Sequence, residues 1–242
     1  MLKKMKFLAM TPCTWMALIV AICALAGAVE LPPYWGNENG PLELLQLVIL
    51  GCCCLAVLLV VNFGVVTKAY KKLFLCSIPI WILMIGREIS WGRDFYINSA
   101  GEMPRLVDLW YGPYVHPTVA IVAIITLWGL SKYGVWIQMR NWLNYGIVPV
   151  GEIGIIIVAG VIATCVEHYS HGLFSVSEEL FEELAEVVCY SAILLFIIDV
   201  GFNKIIQPAS RALPRKFLPN NIVMQSCSDQ SNSGYVNHYT SR

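Results

Sequence analysis

The chain has 242 residues, of which 57% are hydrophobic and only 13% are charged, and its mean hydropathy is +0.65. Because a soluble domain carries about a quarter of its residues as charged side chains, this composition argues against a soluble enzyme and a disordered protein. It indicates an integral membrane protein whose first partner is the lipid bilayer. The formal net charge is zero, so nothing indicates a nucleic-acid partner.

Six apolar stretches approach or reach the ~20 residues that a helix needs to cross the hydrocarbon layer. The stretches are continuous rather than alternating, which predicts helices and not a barrel. We therefore predict an all-α, polytopic transmembrane helical bundle over residues 1–206 and a disordered cytoplasmic tail over residues 207–242. The predicted spans lie near residues 12–29, 44–66, 73–91, 117–136, 146–166 and 180–202.

The first span has a second interpretation, as a signal peptide. Lys3, Lys4 and Lys6 precede the apolar stretch, which ends in Ala26-Gly27-Ala28 and so resembles a cleavage site. The stretch is long for a signal peptide, and another span follows it rather than a secreted domain. A retained span is favoured, with cleavage as the alternative.

The distribution of charge predicts the orientation of the bundle. With the N-terminus inside, most lysines and arginines fall in the inner segments, whereas most of the acidic residues fall in the outer ones. By the positive-inside rule, both termini are predicted to be cytoplasmic.

The third span ends with charged residues that are too deep for an ordinary loop. Only fourteen apolar residues, from Leu73 to Gly86, precede Arg87 and Glu88, and they cover about 21 Å of helix. Arg87 can reach the headgroup region with its long side chain. A carboxylate near the negative end of a helix dipole, at membrane depth, needs a partner, so Glu88 is a candidate site residue.

Three of the four histidines are predicted at the same outer boundary. His168 and His171 follow the fifth span three residues apart, so they can share one face of a helix. His116 precedes Pro117 at the predicted start of the fourth span. Imidazole is a common zinc ligand, although histidines near a helix C-terminus are also favourable without any ligand.

The sixth span opens with a row of glutamates. Ser175 and Glu178 fit a capping box, which explains the first acids structurally. Glutamates continue along one helix face at positions 179, 182, 183 and 186. So many like charges require bound cations, protons or basic partners, which makes Glu183 and Glu186 candidate site residues.

Two further acids, Glu152 and Asp199, lie in apolar sequence on the inner side. The simplest interpretation is pairing with Arg140 and Lys204 at the interface. The alternative is a place on a transport path, because ionisable residues within a membrane often mark ion routes.

The string Glu88-Ile89-Ser90-Trp91-Gly92 resembles one that ends a span in a group of uncharacterised bacterial polytopic membrane proteins. In that group the preceding residue is often acidic and the following one is glutamine, whereas here they are Arg87 and Arg93. The resemblance implies a bacterial inner (plasma) membrane protein and brings no activity. Ser90 and Asp94 are also similar in type and spacing to part of the zinc-binding pattern of ceramidase-like membrane hydrolases, but the H-x-x-x-H of those enzymes is absent.

Three hypotheses follow. The first is a metal-dependent, membrane-embedded hydrolase acting on a lipid-like or envelope substrate. Glu88 would be its general base, Arg87 would hold anionic charge, and Ser90 and Asp94 would assist catalysis. The ligands of a divalent metal such as zinc would be His116, His168, His171 and either Glu183 or Glu186.

The second hypothesis is a cation or proton transporter, or a channel, that uses Glu152 and Asp199. The third is a non-catalytic assembly or accessory protein whose polar cluster ties helices together.

Overall fold

The computed structural model of the chain describes residues 6–37, 39–96, 104–169 and 178–203. Within these ranges the chain forms seven α-helices and two short strands. The helices are α1 (Pro12–Glu30), α2 (Pro41–Phe63), α3 (Lys68–Glu88), α4 (Gly112–Lys132), α5 (Val135–Tyr145), α6 (Val150–Tyr169) and α7 (Glu178–Phe202), and the strands are β1 (Lys6–Leu8) and β2 (Ile147–Pro149). Short 3-10 turns cover Pro33–Gly36, Ser90–Tyr96 and Leu106–Asp108.

All of these helices except α5 are long and apolar enough to cross a membrane. This confirms the prediction of a helical membrane protein with six candidate spans in the part of the chain that is described. The sequence prediction of disorder over residues 207–242 and the Ser175 capping box lie outside the described residues.

The first two spans begin where the sequence supplies helix-start signals. Thr11 is the N-cap of α1, and it forms a reciprocal capping box with Thr14. The two side chains accept hydrogen bonds from backbone N–H groups at the helix start, which have no partner within the helix. Pro12 and Pro41 each occupy the first helical position of α1 and α2, where a missing N–H costs nothing.

Helix α7 lies at the centre of the bundle and packs against α1, α2 and α6. Its buried residues include Leu184, Val188, Ala192 and Ile197. Near its C-terminal end, Gly201 lies so close to α2 that a Cβ atom there would overlap the side chain of Val60. The remaining spans lie further out, α3 against α2 and α4 against α3.

The N-terminal segment is tied to the start of α6 by a strand pair. β1 runs parallel to β2, with Lys6 opposite Ile147 and Leu8 opposite Pro149. This pair brings the start of α1 to the end of the bundle where α6 begins and α7 ends. At the same end, the backbone N–H of Val65 donates a hydrogen bond to the carbonyl of Gly201 over 3.0 Å.

Most helix limits differ from the predicted spans by a few residues, and the largest differences are at the starts of α3 and α4. α3 begins at Lys68 rather than at 73 and ends at Glu88 rather than at 91, and α4 begins at Gly112 rather than at 117. Pro117 therefore lies inside α4. The helix tolerates it because proline removes only one backbone hydrogen bond, the one to the carbonyl four residues earlier. The short helix α5 was not predicted, because its mixed polar and aromatic residues do not form an apolar span.

Candidate functional site

Polar side chains from three helices meet beside the N-terminal half of α7. We call this group the glutamate cluster. Its members are Gln46 from α2, Arg87 and Glu88 from α3, and Glu183, Glu186 and Tyr190 from α7. Glu183, Glu186 and Tyr190 share one helix face, since residues three and four apart are neighbours on a helix. The cluster therefore joins α3 to the central helix.

The hydroxyl of Tyr190 lies between two carboxyl groups. It is 3.0 Å from Oε1 of Glu88 and 3.4 Å from Oε2 of Glu186, and the tyrosine is only 5% exposed. A phenol has one proton to donate, so it can donate to one of the two carboxyls at a time. The second contact becomes a hydrogen bond only when that carboxyl carries a proton, and the three groups form a chain along which a proton can pass.

Arg87 supplies the cluster with positive charge. Its Nη2 lies 3.3 Å from Oε1 of Glu186, and its side chain is 56% exposed whereas that of Glu186 is 13% exposed. The cluster thus contains three carboxyl groups, those of Glu88, Glu183 and Glu186, and one basic side chain. Because uncompensated charge at membrane depth is costly, the excess of carboxyl groups favours uptake of protons or cations.

Gln46 fixes the position of Glu183. Its Nε2 donates to Oε2 of Glu183 over 2.6 Å and to the backbone carbonyl of the same residue over 3.1 Å. The glutamine is fully buried, and its Oε1 has no hydrogen-bond partner among the described residues.

The sequence analysis did not identify either Gln46 or Tyr190 as a site residue. The available signals were an amide side chain within a 23-residue apolar helix and a tyrosine four residues after Glu186.

The Glu88-Ile89-Ser90-Trp91-Gly92 string forms the turn that ends α3. Ser90, Trp91 and Gly92 have φ values of 47°, 57° and 83°, in the left-handed region that is common at helix ends but rare for residues such as tryptophan. The indole of Trp91 folds back against Gly86, where a Cβ atom would lie 2.9 Å from the ring. The string thus places Glu88 at the last position of α3, facing α7.

The described contact of Ser90 is made by its backbone, whose carbonyl accepts a hydrogen bond from Nε of Arg93 over 3.2 Å. The backbone of Asp94 lies in the turn Ser90–Tyr96, and its side chain lies outside what the structure describes. Catalytic roles for Ser90 and Asp94 stay predictions.

The structure describes two of the three histidines of the predicted metal site, His116 and His168. His116 is an exposed residue within the second turn of α4, and His168 is an exposed residue near the end of α6 whose Nδ1 lies 3.4 Å from Oε2 of Glu167. His171 lies outside the described residues. Within the described ranges, no three His, Cys, Asp or Glu side chains form a group that could hold a metal ion, so a zinc site with Glu183 or Glu186 stays a prediction.

A second polar group lies at the opposite end of α7. We call it the threonine–carboxyl cluster, and its members are Thr11 and Thr14 from the start of α1, Glu152 from α6, and Asp199 and Asn203 from the end of α7. The hydroxyl of Thr11 donates a short hydrogen bond to Oε1 of Glu152. Asn203 donates through Nδ2 to Oδ1 of Asp199 over 3.1 Å. Glu152 is fully buried and Asp199 is 5% exposed.

Gly151 allows α6 to approach the start of α1, and both of these helices carry members of this cluster. A Cβ atom at this position would overlap the side chain of Thr14 and lie 2.5 Å from the carbonyl oxygen of Ala9. Only a glycine leaves room for such contact with a backbone atom. The close approach is what brings Thr11 within hydrogen-bonding reach of Glu152.

Two carboxyl oxygens of this cluster are buried without a partner. They are Oε2 of Glu152 and Oδ2 of Asp199, which have no hydrogen bond in the described structure. The predicted ion pair with Arg140 is not observed, because no described lysine or arginine pairs with either acid, and Lys204 lies outside the described residues. Buried polar atoms are nearly always paired, so these two oxygens are unusual and call for a proton or a ligand.

An apolar stretch separates the two clusters along α7. Between Tyr190 and Asp199 the only polar residue is Ser191, and the distance along the helix axis is about 13 Å. The two clusters therefore stand at opposite ends of one helix with a hydrophobic layer between them.

No protein-family model, curated protein or solved structure matches this chain.

Proposed function

We propose that the protein moves protons or small cations across the membrane, with the glutamate cluster and the threonine–carboxyl cluster as binding sites at the two ends of α7. One observation carries this proposal. Partly buried carboxyl groups lie near one end of the central helix and buried carboxyl groups near the other, and the described basic residues do not balance them. A protein that needed these acids only to join helices would balance their charge with basic side chains.

The two sites differ in the way they can take up an ion. In the glutamate cluster, the side chain of Arg87 is more than half exposed, so the adjacent Glu186 has access to the exterior of the bundle. Tyr190 then connects Glu186 to Glu88 on α3. In the threonine–carboxyl cluster the acids are buried. Ions would enter there only when the bundle moves, and the apolar layer of α7 would prevent a continuous leak.

The test measures ion entry into liposomes whose membrane contains the purified protein and whose interior contains a pH-sensitive dye. A membrane potential is imposed to drive entry. We expect Glu186→Gln and Glu152→Gln each to lower the rate of proton or cation entry by about tenfold or more, since each change removes an ionisable group from one cluster. Glu30→Gln, at the exposed end of α1, is the matched control and is expected to keep the wild-type rate. Wild-type flux in both cluster variants would contradict the proposal. Absence of flux in the wild-type protein would instead favour the assembly hypothesis.

The hydrolase hypothesis is distinguished by the metal content of the purified protein. It expects a near-stoichiometric divalent metal that is lost in a His168→Ala/His171→Ala variant, because both imidazoles would be ligands. The transport proposal expects the same metal content in the variant and the wild type, together with unchanged flux. Elemental analysis of the two detergent-purified proteins, after confirmation that both insert in the membrane, decides between these outcomes.

A further inference from the structure

The threonine–carboxyl cluster has the chemistry of a site for a hard cation. Its side chains offer hydroxyl and carboxyl oxygens, together with one amide from Asn203 and the half-buried thiol of Cys13 nearby. Hard cations such as Na⁺ and Ca²⁺ bind through oxygen ligands, often with water completing the shell. Histidine and clustered thiols, which favour zinc, are not among the described members of the cluster.

The unpartnered oxygens supply the independent evidence for a ligand. Oε2 of Glu152 and Oδ2 of Asp199 are both buried and belong to side chains that are at least nine-tenths buried. The remaining oxygen of each acid is already held in place, by Thr11 for Glu152 and by Asn203 for Asp199. The hydroxyl of Thr11 also lies beside Asp199. Both acids therefore lie beside Thr11, and Oε2 of Glu152 and Oδ2 of Asp199 have no hydrogen bond among the described residues.

Charge leads to the same conclusion. Two buried carboxylates without a described basic partner would leave about two negative charges in a poorly solvated place, which is strongly unfavourable. A bound cation removes most of that cost and ties α1, α6 and α7 together at one point. A ligand that joins three helices in this way also stabilises the folded state, because it binds the folded chain and not the unfolded one.

We infer that Glu152, Asp199 and Thr11 form a binding site for a hard, oxygen-ligated cation at the C-terminal end of α7. This inference deepens the proposed function, on which it rests for its role, by naming the class of ion that the second cluster takes. Binding itself can be measured without any transport.

The experiment uses the full-length protein in detergent, washed with a chelator and exchanged into choline chloride. Addition of Na⁺ or Ca²⁺ is expected to raise the melting temperature by about 5 °C at saturating ion, and equilibrium binding of ²²Na⁺ or ⁴⁵Ca²⁺ is expected to show a site that depends on Glu152 and Asp199. The ion that produces both effects identifies the ligand. Additional choline is the control for ionic strength.

Glu152→Gln and Asp199→Asn keep the shape of each side chain and remove its charge. We expect each to lower the affinity for the cation by tenfold or more, whereas Glu30→Gln, at the exposed end of α1 and in neither cluster, leaves the affinity unchanged. If an acid variant fails to fold, the isotope measurement on the wild type still tests the site. No binding of either ion by the wild type, or binding that both acid variants retain, would overturn the inference.

The result also separates this inference from the proposed function. Bound cation without flux in liposomes would support the site and contradict transport. Proton flux without any bound metal cation would support transport and overturn the cation site, leaving Glu152 and Asp199 as a pair that shares protons.

Discussion

Replacing Gly151 with leucine is expected to lower the free energy of unfolding by about 3 kcal/mol, the upper part of the usual range for overpacking. The first carbon of the new side chain would already overlap Thr14 and press on the backbone oxygen of Ala9. A backbone atom cannot move aside as the end of a flexible side chain can, so α1 and α6 must separate. The change is measurable by thermal or detergent-induced unfolding of the purified protein.

Gly154→Leu is the matched control for this experiment. Gly154 lies one turn further along the same helix, and nothing lies within 4 Å of a Cβ atom placed there. The helix propensity gained by replacing glycine is the same at both positions, so the difference between the variants reports the contact with α1. Equal stability of Gly151→Leu and Gly154→Leu would contradict the packing that we describe at this end of the bundle.

The same substitution also tests whether the threonine–carboxyl cluster depends on this packing. When α1 moves away from α6, Thr11 loses its hydrogen bond to Glu152, and the two acids lose the residue that lies between them. We therefore expect Gly151→Leu to weaken cation binding together with stability, whereas Gly154→Leu leaves binding unchanged.

The spans could be predicted from the sequence because hydropathy and length alone decide which segments cross a bilayer. All six predicted spans have a helical counterpart. The ends of the helices were predicted less accurately than their positions. At the start of α3, for example, Lys68, Lys71 and Lys72 belong to the helix although their charge excludes them from an apolar span. Strand pairing between β1 and β2 joins segments about 140 residues apart, and no local pattern indicates it.

The sequence also identified every acidic member of the two clusters, since a carboxyl group in an apolar segment is conspicuous. It associated Glu88 with Glu183 and Glu186, but did not associate Glu152 with Asp199 through Thr11. Hydrogen-bond partners such as Thr11, Gln46 and Tyr190 are ordinary residues in sequence and become informative only when the rotation of each helix is known. Helix rotation is set by packing against neighbours, for which hydropathy gives no information.

Tyr190→Phe is expected to lower proton flux by about tenfold or more, because the change removes the hydroxyl that joins Glu88 to Glu186. The aromatic ring remains, so the packing of α7 against its neighbours is kept. The loss of a single neutral hydrogen bond costs about 1 kcal/mol of stability, which a folded membrane protein tolerates. The flux assay in liposomes that tests the two acid variants measures this change as well.

Tyr70→Phe provides a tyrosine control with the same loss of one hydroxyl. Tyr70 is partly buried in α3, and its hydroxyl donates to the backbone carbonyl of Gln138 over 3.0 Å, in neither cluster. Both variants therefore lose one hydrogen bond and keep their rings, but only Tyr190→Phe interrupts the chain of proton-carrying groups. If the two variants transport at the same rate, the hydroxyl of Tyr190 serves helix packing alone, and protons reach Glu88 by another route. A selective loss in Tyr190→Phe would place this hydroxyl on the path from Glu186, beside the exposed Arg87, to the carboxyl group of Glu88.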